Sequence, residues 1–360
     1  MPGTDIYEQP VQPDEQAYRR HYRQDQARRW GSVLLLVGIV WLVFELVSHT
    51  FFLGSGFGFV ERTQRLEETV TGEALVVDVI GDDVSLVRGS GPEIQIEVVK
   101  HAFGWNGAAA ERALADLDLT IDERGNSVHI TGPRTTGFFI GRRPYVSLNI
   151  ALPVDTQVTI NATNGDLLLA NVVGDGTLET INGTISGADT QGSLTLKTTN
   201  GDIALENHNG SLVIETINGD VTAEDGRITR VQAGSVNGDF TFVGVTGMLD
   251  VTTVSGDIVV EDAQAVQLGL ESTSGNLEFA GSLAATGPQR ITSIAGDVAL
   301  RLPATGNLRL DVTTLSGDIE TDIELQQATY ERRQVRGRLG AGDTLLRVTT
   351  TSGDITIVAD

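Results

Sequence analysis

From Ile160 to Ile355 the chain repeats one pattern of apolar and polar positions around a short glycine corner. The corner reads TNGDL at Thr163–Leu167, INGTI at Ile181–Ile185, TNGDI at Thr199–Ile203 and INGDV at Ile217–Val221, and returns as VNGDF, VSGDI, TSGNL, IAGDV, LSGDI and TSGDI. Its glycines are Gly165, Gly183, Gly201, Gly219, Gly238, Gly256, Gly275, Gly296, Gly317 and Gly353, at spacings of 18, 18, 18, 19, 18, 19, 21, 21 and 36 residues. Two residues after each glycine stands an apolar side chain, from Leu167 and Ile185 to Ile319 and Ile355. Five residues before it stands another, from Ile160 and Leu178 to Val312 and Val348. Seven before it most are apolar again, with Gly176 and Gln289 as exceptions. A period of two describes strands with one buried face, whereas a helix needs apolar positions three and four apart.

Short strands and glycine corners in a unit of about 18 residues predict an all-β fold, a parallel β-solenoid. One winding cannot fold alone. Its inward side chains contribute about 1.5–3 kcal/mol each only when the next winding covers them. Ten corners stacked at about 4.8 Å predict a rod roughly 50 Å long. The regular solenoid is expected over 156–360, after an N-terminal β-rich cap with irregular first coils over 69–155. Within that cap Leu75–Val79, Ile94–Val99 and Val128–Thr131 read as strands and Ala108–Leu117 as a helix. The 36-residue gap before Gly353 is the length of two repeats, and the closing ITIVAD reads as a strand with no cap. An uncapped edge predicts pairing with another molecule, hence a self-assembling structural rod as one alternative.

Three polar columns accompany the glycines. Thr180, Thr198, Thr216, Ser235, Thr253, Ser272, Ser293, Thr314 and Thr350 stand three residues before them, and Asn164, Asn182, Asn200, Asn218 and Asn237 immediately before. Stacked hydroxyls and amides are expected to hydrogen-bond along the rod and to satisfy corner backbone groups. Asp166, Asp202, Asp220, Asp239, Asp257, Asp297, Asp318 and Asp354 follow the glycines. Carboxylates about 5 Å apart repel one another, which makes Asp202, Asp220, Asp239 and Asp257 the candidates for a cation ladder. The G-G-x-G-x-D nonapeptide of calcium β-rolls is absent, however, and Asp after Gly is ordinary turn chemistry. No metal or other cofactor is therefore expected.

Ahead of the repeat, Val33–Leu53 is a 21-residue apolar run interrupted by Glu45. At 1.5 Å per residue it spans roughly 30 Å, the thickness of a bilayer core. Residues 30–53 are thus expected to be a transmembrane helix, with 1–29 a disordered tail and 54–68 a linker. Glu45 costs about 2–3 kcal/mol in the membrane unless protonated or paired, and its apolar neighbours outweigh that. A long charged region and no small-x-small site after Leu53 argue for an uncleaved signal anchor. Arg19, Arg20, Arg23, Arg28 and Arg29 precede the helix, while Glu61, Glu67 and Glu68 outnumber Arg62 and Arg65 after it. The positive-inside rule then predicts a single-pass cell-membrane protein with a cytoplasmic N-terminus and an extracytoplasmic C-terminal domain.

Composition narrows the chemistry. The 48 acidic against 25 basic residues give a formal charge of −23, of which −22 lies beyond Leu53. Such a surface repels nucleic acid. With no cysteine, thiol catalysis, disulfides and cysteine-ligated metals are ruled out. His21, His49, His101, His129 and His208 are scattered, without metal or triad spacing. Beyond Asp155 the aromatics are Phe240, Phe242, Phe279 and Tyr330, too few for a sugar-stacking platform, and no large loop overhangs the Asp column. Paired acids on a β-helix suggest a lyase or glycosidase, but these features argue against an enzyme. Arg332, Arg333, Arg336 and Arg338 form the densest basic cluster outside the tail, a candidate partner contact on an acidic rod.

The lead-in GEALVVDVIGDDVSLVRGSG, the phrase VSLNIALPVDTQVTINATNGDLLLANVVGDGTLETINGTI and the closing RLGAGDTLLRVTTTSGDITI resemble the bacterial "putative adhesin" family. These are extracellular β-strand-repeat domains of unknown function, and the likeness extends from Thr69 to Asp360. The segment LLLVGIVWLVFEL is similar to hydrophobic modules that precede such domains in bacterial envelope proteins. The resemblance implies a right-handed parallel β-helix outside the cytoplasm and brings no catalytic residues.

Together these readings predict a membrane-anchored, non-catalytic module that binds an envelope polymer, a surface or a protein partner. An envelope-stress sensor signalling through Glu45 is the alternative from another class. Deleting the tail separates the two, since a sensor loses its output while an adhesin keeps binding.

Overall fold

Alternation sends every second side chain inward, and parallel pairing brings equivalent residues of successive windings into register. The computed structural model describes residues 60–133 and 143–359. Each winding gives one strand to each of two sheets: the strand before a glycine corner joins the first, and the strand after it joins the second. The unit Asn209–Asn218, corner, Val221–Glu224 is typical. Leu178, Leu196 and Ile214 stack in the first sheet, and Ile185, Ile203 and Val221 in the second. Leu212, Ile214, Val221 and Ala223 are at most 1% exposed, so the interior of the winding is dry. Phe240, Phe242 and Phe279 are buried within it, and Phe242 stands opposite the small Ala223 of the adjacent winding. The expected all-β solenoid is present.

The order of windings departs from the order of the chain at both ends. Ala74–Val79 lies between Ser127–Thr131 and Gln157–Asn164, and Asp83–Arg88 lies between Tyr145–Leu152 and Leu167–Ala170. The first winding in sequence is therefore the second in the stack. Thr120–Arg124 closes the outer edge of the first sheet in antiparallel fashion, while Ile94–Gly104 and then Val60–Val70 close the second. The expected linker 54–68 is thus corrected from Val60 onward, because the backbone there pairs with Ile94–Gly104. The exposed Glu61, Arg62, Arg65, Glu67 and Glu68 suit such an edge, since charge discourages further strand addition. The helix runs over Gly107–Ala115, capped by the Asn106 side chain, which accepts from the Ala109 N–H at 2.8 Å.

At the other end Thr344–Ser352 is inserted between Gln289–Ala295 and Leu308–Ser316, and Ile355–Ala359 between Val298–Leu302 and Ile319–Thr321. The chain leaves Leu302, builds the outermost winding, turns back through a hairpin, and returns to fill the gap. The hairpin strands Gln326–Glu331 and Gln334–Leu339 cap the first sheet in antiparallel fashion, with Gln334–Leu339 paired to Leu308–Thr313. This corrects two expectations. The ITIVAD strand is an interior layer with partners on both sides, so it offers no open edge for self-assembly. The 36-residue gap holds a cap and a return strand rather than two stacked repeats. Among the described residues twelve windings stack in parallel, about 55–60 Å of rod.

The expected transmembrane helix over 30–53, Glu45 and the tail over 1–29 lie outside the described residues. Among the described residues no helix is long and apolar enough to cross a membrane.

Candidate functional site

The glycine corners form one unbroken column. A Cβ on Gly219 would overlap the carbonyl oxygen of Gly201, and the same holds from Gly183 through Gly296. The column then runs from Gly296 to Gly353 and from Gly353 to Gly317, in the order of the stack rather than of the chain. Beside it the asparagines make an amide ladder, each Nδ2 donating to the Oδ1 below, from Asn182 to Asn164 at 2.8 Å and on to Asn237 and Asn218 at 3.0 Å. The inward hydroxyls of Thr180, Thr198, Thr314 and Thr350 donate to glycine carbonyls of the adjacent winding at 3.1–3.3 Å. Those of Thr216, Ser235, Thr253 and Ser293 are buried without a hydrogen-bond partner, so this column is only partly satisfied.

Every carboxylate of the acidic column except that of Asp318, in the outermost winding, accepts a backbone N–H from the next winding. Asp202 Oδ1 accepts from Asp220 at 2.9 Å, Asp220 from Asp239 at 2.9 Å, Asp239 from Asp257 at 2.8 Å, and Asp257 from Asn276 at 2.7 Å. Like charges are held in line because each one satisfies a corner donor that has no strand partner. Among the described residues no group of three or more acids or histidines is arranged to hold a metal ion. Asp239→Ala is expected to lower stability by about 0.5–1.5 kcal/mol in chemical denaturation, while Asp239→Asn, which keeps an acceptor, is expected to stay close to wild type.

At the N-terminal end Asp82 takes the place of a glycine and is 2% exposed. Its Oδ1 accepts from the Val146 N–H at 2.6 Å, and its Oδ2 is buried without a partner. Burial pushes its pKa up to about 6, with Asp83 adding to the rise and the Val146 hydrogen bond opposing it. A carboxyl with a raised folded-state pKa destabilises the fold where it is charged, above pH 6, and that cost disappears as pH falls through 6 toward 4. Asp82→Asn is therefore expected to raise the melting temperature at pH 7.5, by at most about 3 kcal/mol in stability, and to change little near pH 4. Melting curves across that range check both arms.

Basic residues gather on the outward side of the first sheet at its C-terminal end. Arg290 stands opposite Arg347, Arg347 opposite Asp311, and Asp311 opposite Arg336, across four adjacent strands. One step along the strands Arg309 stands opposite Arg338. Asp311 accepts from Arg336 Nε at 2.9 Å and lies 3.9 Å from Arg347 Nε. Among the described residues Arg290, Arg309 and Arg338 form no ion pair. Of the cluster expected from sequence, Arg336 and Arg338 lie on this face, while Arg332 and Arg333 lie at the exposed hairpin tip. Arg290, Arg309 and Arg347 were not foreseen, because only the out-of-order winding brings them together.

The family model described as Toastrack DUF4097 matches residues 107–283 and 245–358. The chain belongs to the Toastrack DUF4097 family. This agrees with the resemblance to adhesin-like repeat domains of unknown function. Solved structures similar to this Toastrack chain include one described as a putative adhesin from Bacteroides fragilis, with 9% identity, 82% of this chain and 97% of that one covered, and a TM-score of 0.35. Another, described as a putative lipid binding protein from Parabacteroides distasonis, has 13% identity, 82% and 96% coverage, and a TM-score of 0.37. A third, described as a putative cell adhesion protein from Clostridium sporogenes, has 9% identity, 83% and 100% coverage, and a TM-score of 0.23. At such scores these likenesses say nothing about chemistry or partner. No curated protein matches the chain.

Among the described residues acids outnumber bases over the rest of the Toastrack surface. Glu206, Glu224 and Glu261 share one outward column of the second sheet, and burial first, then neighbouring acids, raise the pKa of Glu224. Three histidines fall within the described residues and stay apart. His101 stacks on Tyr145 and hydrogen-bonds Glu61, His129 bonds Ser127, and His208 is buried against the Thr190 hydroxyl at 2.9 Å.

Proposed function

We propose that this chain is a non-catalytic, adhesin-like envelope module, tethered to the cell membrane by residues 30–53 with its solenoid on the extracytoplasmic side. The observation that carries the reading is a dry interior whose sheets are both covered by antiparallel strands at the N-terminal end, and whose first sheet is covered by an antiparallel hairpin at the C-terminal end. Contact with any partner then falls to the outer faces, which present residues at a fixed repeat set by strand spacing. A rigid rod with small corners and few inserted loops suits display of a surface better than enclosure of a substrate. The apolar run Val33–Leu53 and the arginines before it support the tether and its orientation.

Intact cells carrying the full chain test this directly. Protease added outside is expected to remove the solenoid and leave a membrane-bound fragment containing residues 30–53, and cells lacking the protein are expected to attach less to surfaces. Protection of the solenoid in intact cells, or its recovery in the soluble fraction after lysis, overturns the reading.

A further inference from the structure

We infer that the arginine face at the C-terminal end of the first sheet binds a carboxylate-bearing polysaccharide. This deepens the adhesin-like reading by naming a partner chemistry, and it does not depend on the membrane tether. Arg290 stands directly across from Arg347, and Arg309 from Arg338. Like charges directly opposite in a sheet are destabilising. The chain has 48 acidic residues against 25 basic ones, so a surface arranged for stability alone has ample acid to place between these pairs. Instead these four strands carry five outward arginines and one outward acid, Asp311.

Asp311 shows which ligand the face is built to take. Its carboxylate is clamped from two neighbouring strands by Arg336 and Arg347, which are themselves 59% and 54% exposed. Planar guanidinium forks match carboxylate oxygens. Arg290, Arg309 and Arg338 offer the same fork to a group from outside. A single solvent-facing guanidinium–carboxylate contact on a flat sheet contributes little, so a lone anion would bind poorly. Several contacts made by one chain convert weak sites into usable affinity. Arg290 and Arg336 lie three strands apart, about 14 Å at 4.8 Å per strand, a span that an extended sugar acid polymer crosses with several carboxylates. The acidic remainder of the rod repels the same polymer and confines it to this end.

The test uses the purified full chain in detergent micelles, titrated with polygalacturonate, monomeric galacturonate and dextran sulfate. Polygalacturonate is expected to bind at low salt at least a hundredfold more tightly than the monomer, and more tightly than dextran sulfate of equal charge. The exposed double variant Arg290→Gln/Arg309→Gln is expected to lose tenfold or more, while Arg227→Gln on a distant winding leaves binding unchanged. Asp311→Asn removes the internal competitor and is expected to tighten binding several-fold, an outcome that a purely structural role for Asp311 does not produce. Melting curves establish that each variant is folded, and dependence on salt in the unaltered chain gives a readout needing no variant. Absence of polygalacturonate binding, equal binding of dextran sulfate, or equal losses in the double variant and Arg227→Gln overturns the inference. Protease accessibility on intact cells is independent of these titrations, so failure of the proposed location and failure of the proposed ligand are distinguishable.

Discussion

Gly219→Ala is expected to be among the most damaging single-methyl additions in this protein, with a loss of at least about 3 kcal/mol. Gly219 adopts φ +152°, a conformation that residues with a side chain rarely take, and its missing Cβ leaves room for the carbonyl oxygen of Gly201. That oxygen belongs to backbone held in register by windings on both sides, so it cannot move aside cheaply. Gly234→Ala supplies the control. Its added Cβ would meet nothing closer than the Thr252 carbonyl oxygen at 4.0 Å, on the outward side of the first sheet. Alanine there is expected to be neutral or slightly stabilising, since it restricts the unfolded chain. Denaturant midpoints and amide exchange in Val221–Glu224 and its neighbours measure both variants. Equal effects would show that the column is not held by close backbone approach.

Deleting residues 344–360 is expected to cost far more than trimming one end of a rod. Leu346, Val348, Ile355 and Ile357 are fully buried, and they form the layer between the windings at 289–302 and 308–321. Four such side chains contribute on the order of 6–12 kcal/mol of burial, and the layers on either side lose their cover as well. The expected result is loss of the whole segment from Leu308 to Leu339 as a protected unit, seen as rapid proteolysis there and greatly increased amide exchange. Were the last strands simply the end of the rod, the deletion would leave Leu308–Leu339 protected. Retention of that protection sinks the insertion of the terminal winding.

The contrast between these two experiments marks what was readable in advance. Gly165 to Gly353 align in the sequence because a corner that admits no Cβ recurs once per winding, and the columns two residues after and five residues before it follow from period-two burial. The short helix, expected over Ala108–Leu117 and found over Gly107–Ala115, and the strands near Leu75, Ile94 and Val128 were also legible within a few residues, whereas the Asn106 cap was not. The stacking order was not. Gly296, Gly317 and Gly353 carry equivalent columns, and any of these windings covers any other equally well as far as local pattern is concerned. The same degeneracy hid the arginine face, because Arg290, Arg309 and Arg347 are ordinary outward positions until their windings become neighbours.

Asp82 illustrates the other kind of omission. It lies in IGDD, which looks like the common corner shifted by one residue, yet the structure puts Asp82 rather than Gly81 in the glycine column. Asp83, not Asp82, then begins the acidic ladder by accepting from the Asp166 N–H at 3.0 Å. The carboxylate of Asp82 turns inward to the Val146 N–H, a partner 64 residues away that no local pattern announces.

Within-winding geometry was determined by the amino-acid sequence alone, because alternation and glycine corners act over neighbouring residues. The tertiary structure decided which winding covers which, how each end is closed, and that the terminal strand lies inside the stack. Those choices depend on antiparallel strands and a hairpin claiming the outer edges, a competition between distant segments that a repeating pattern leaves degenerate.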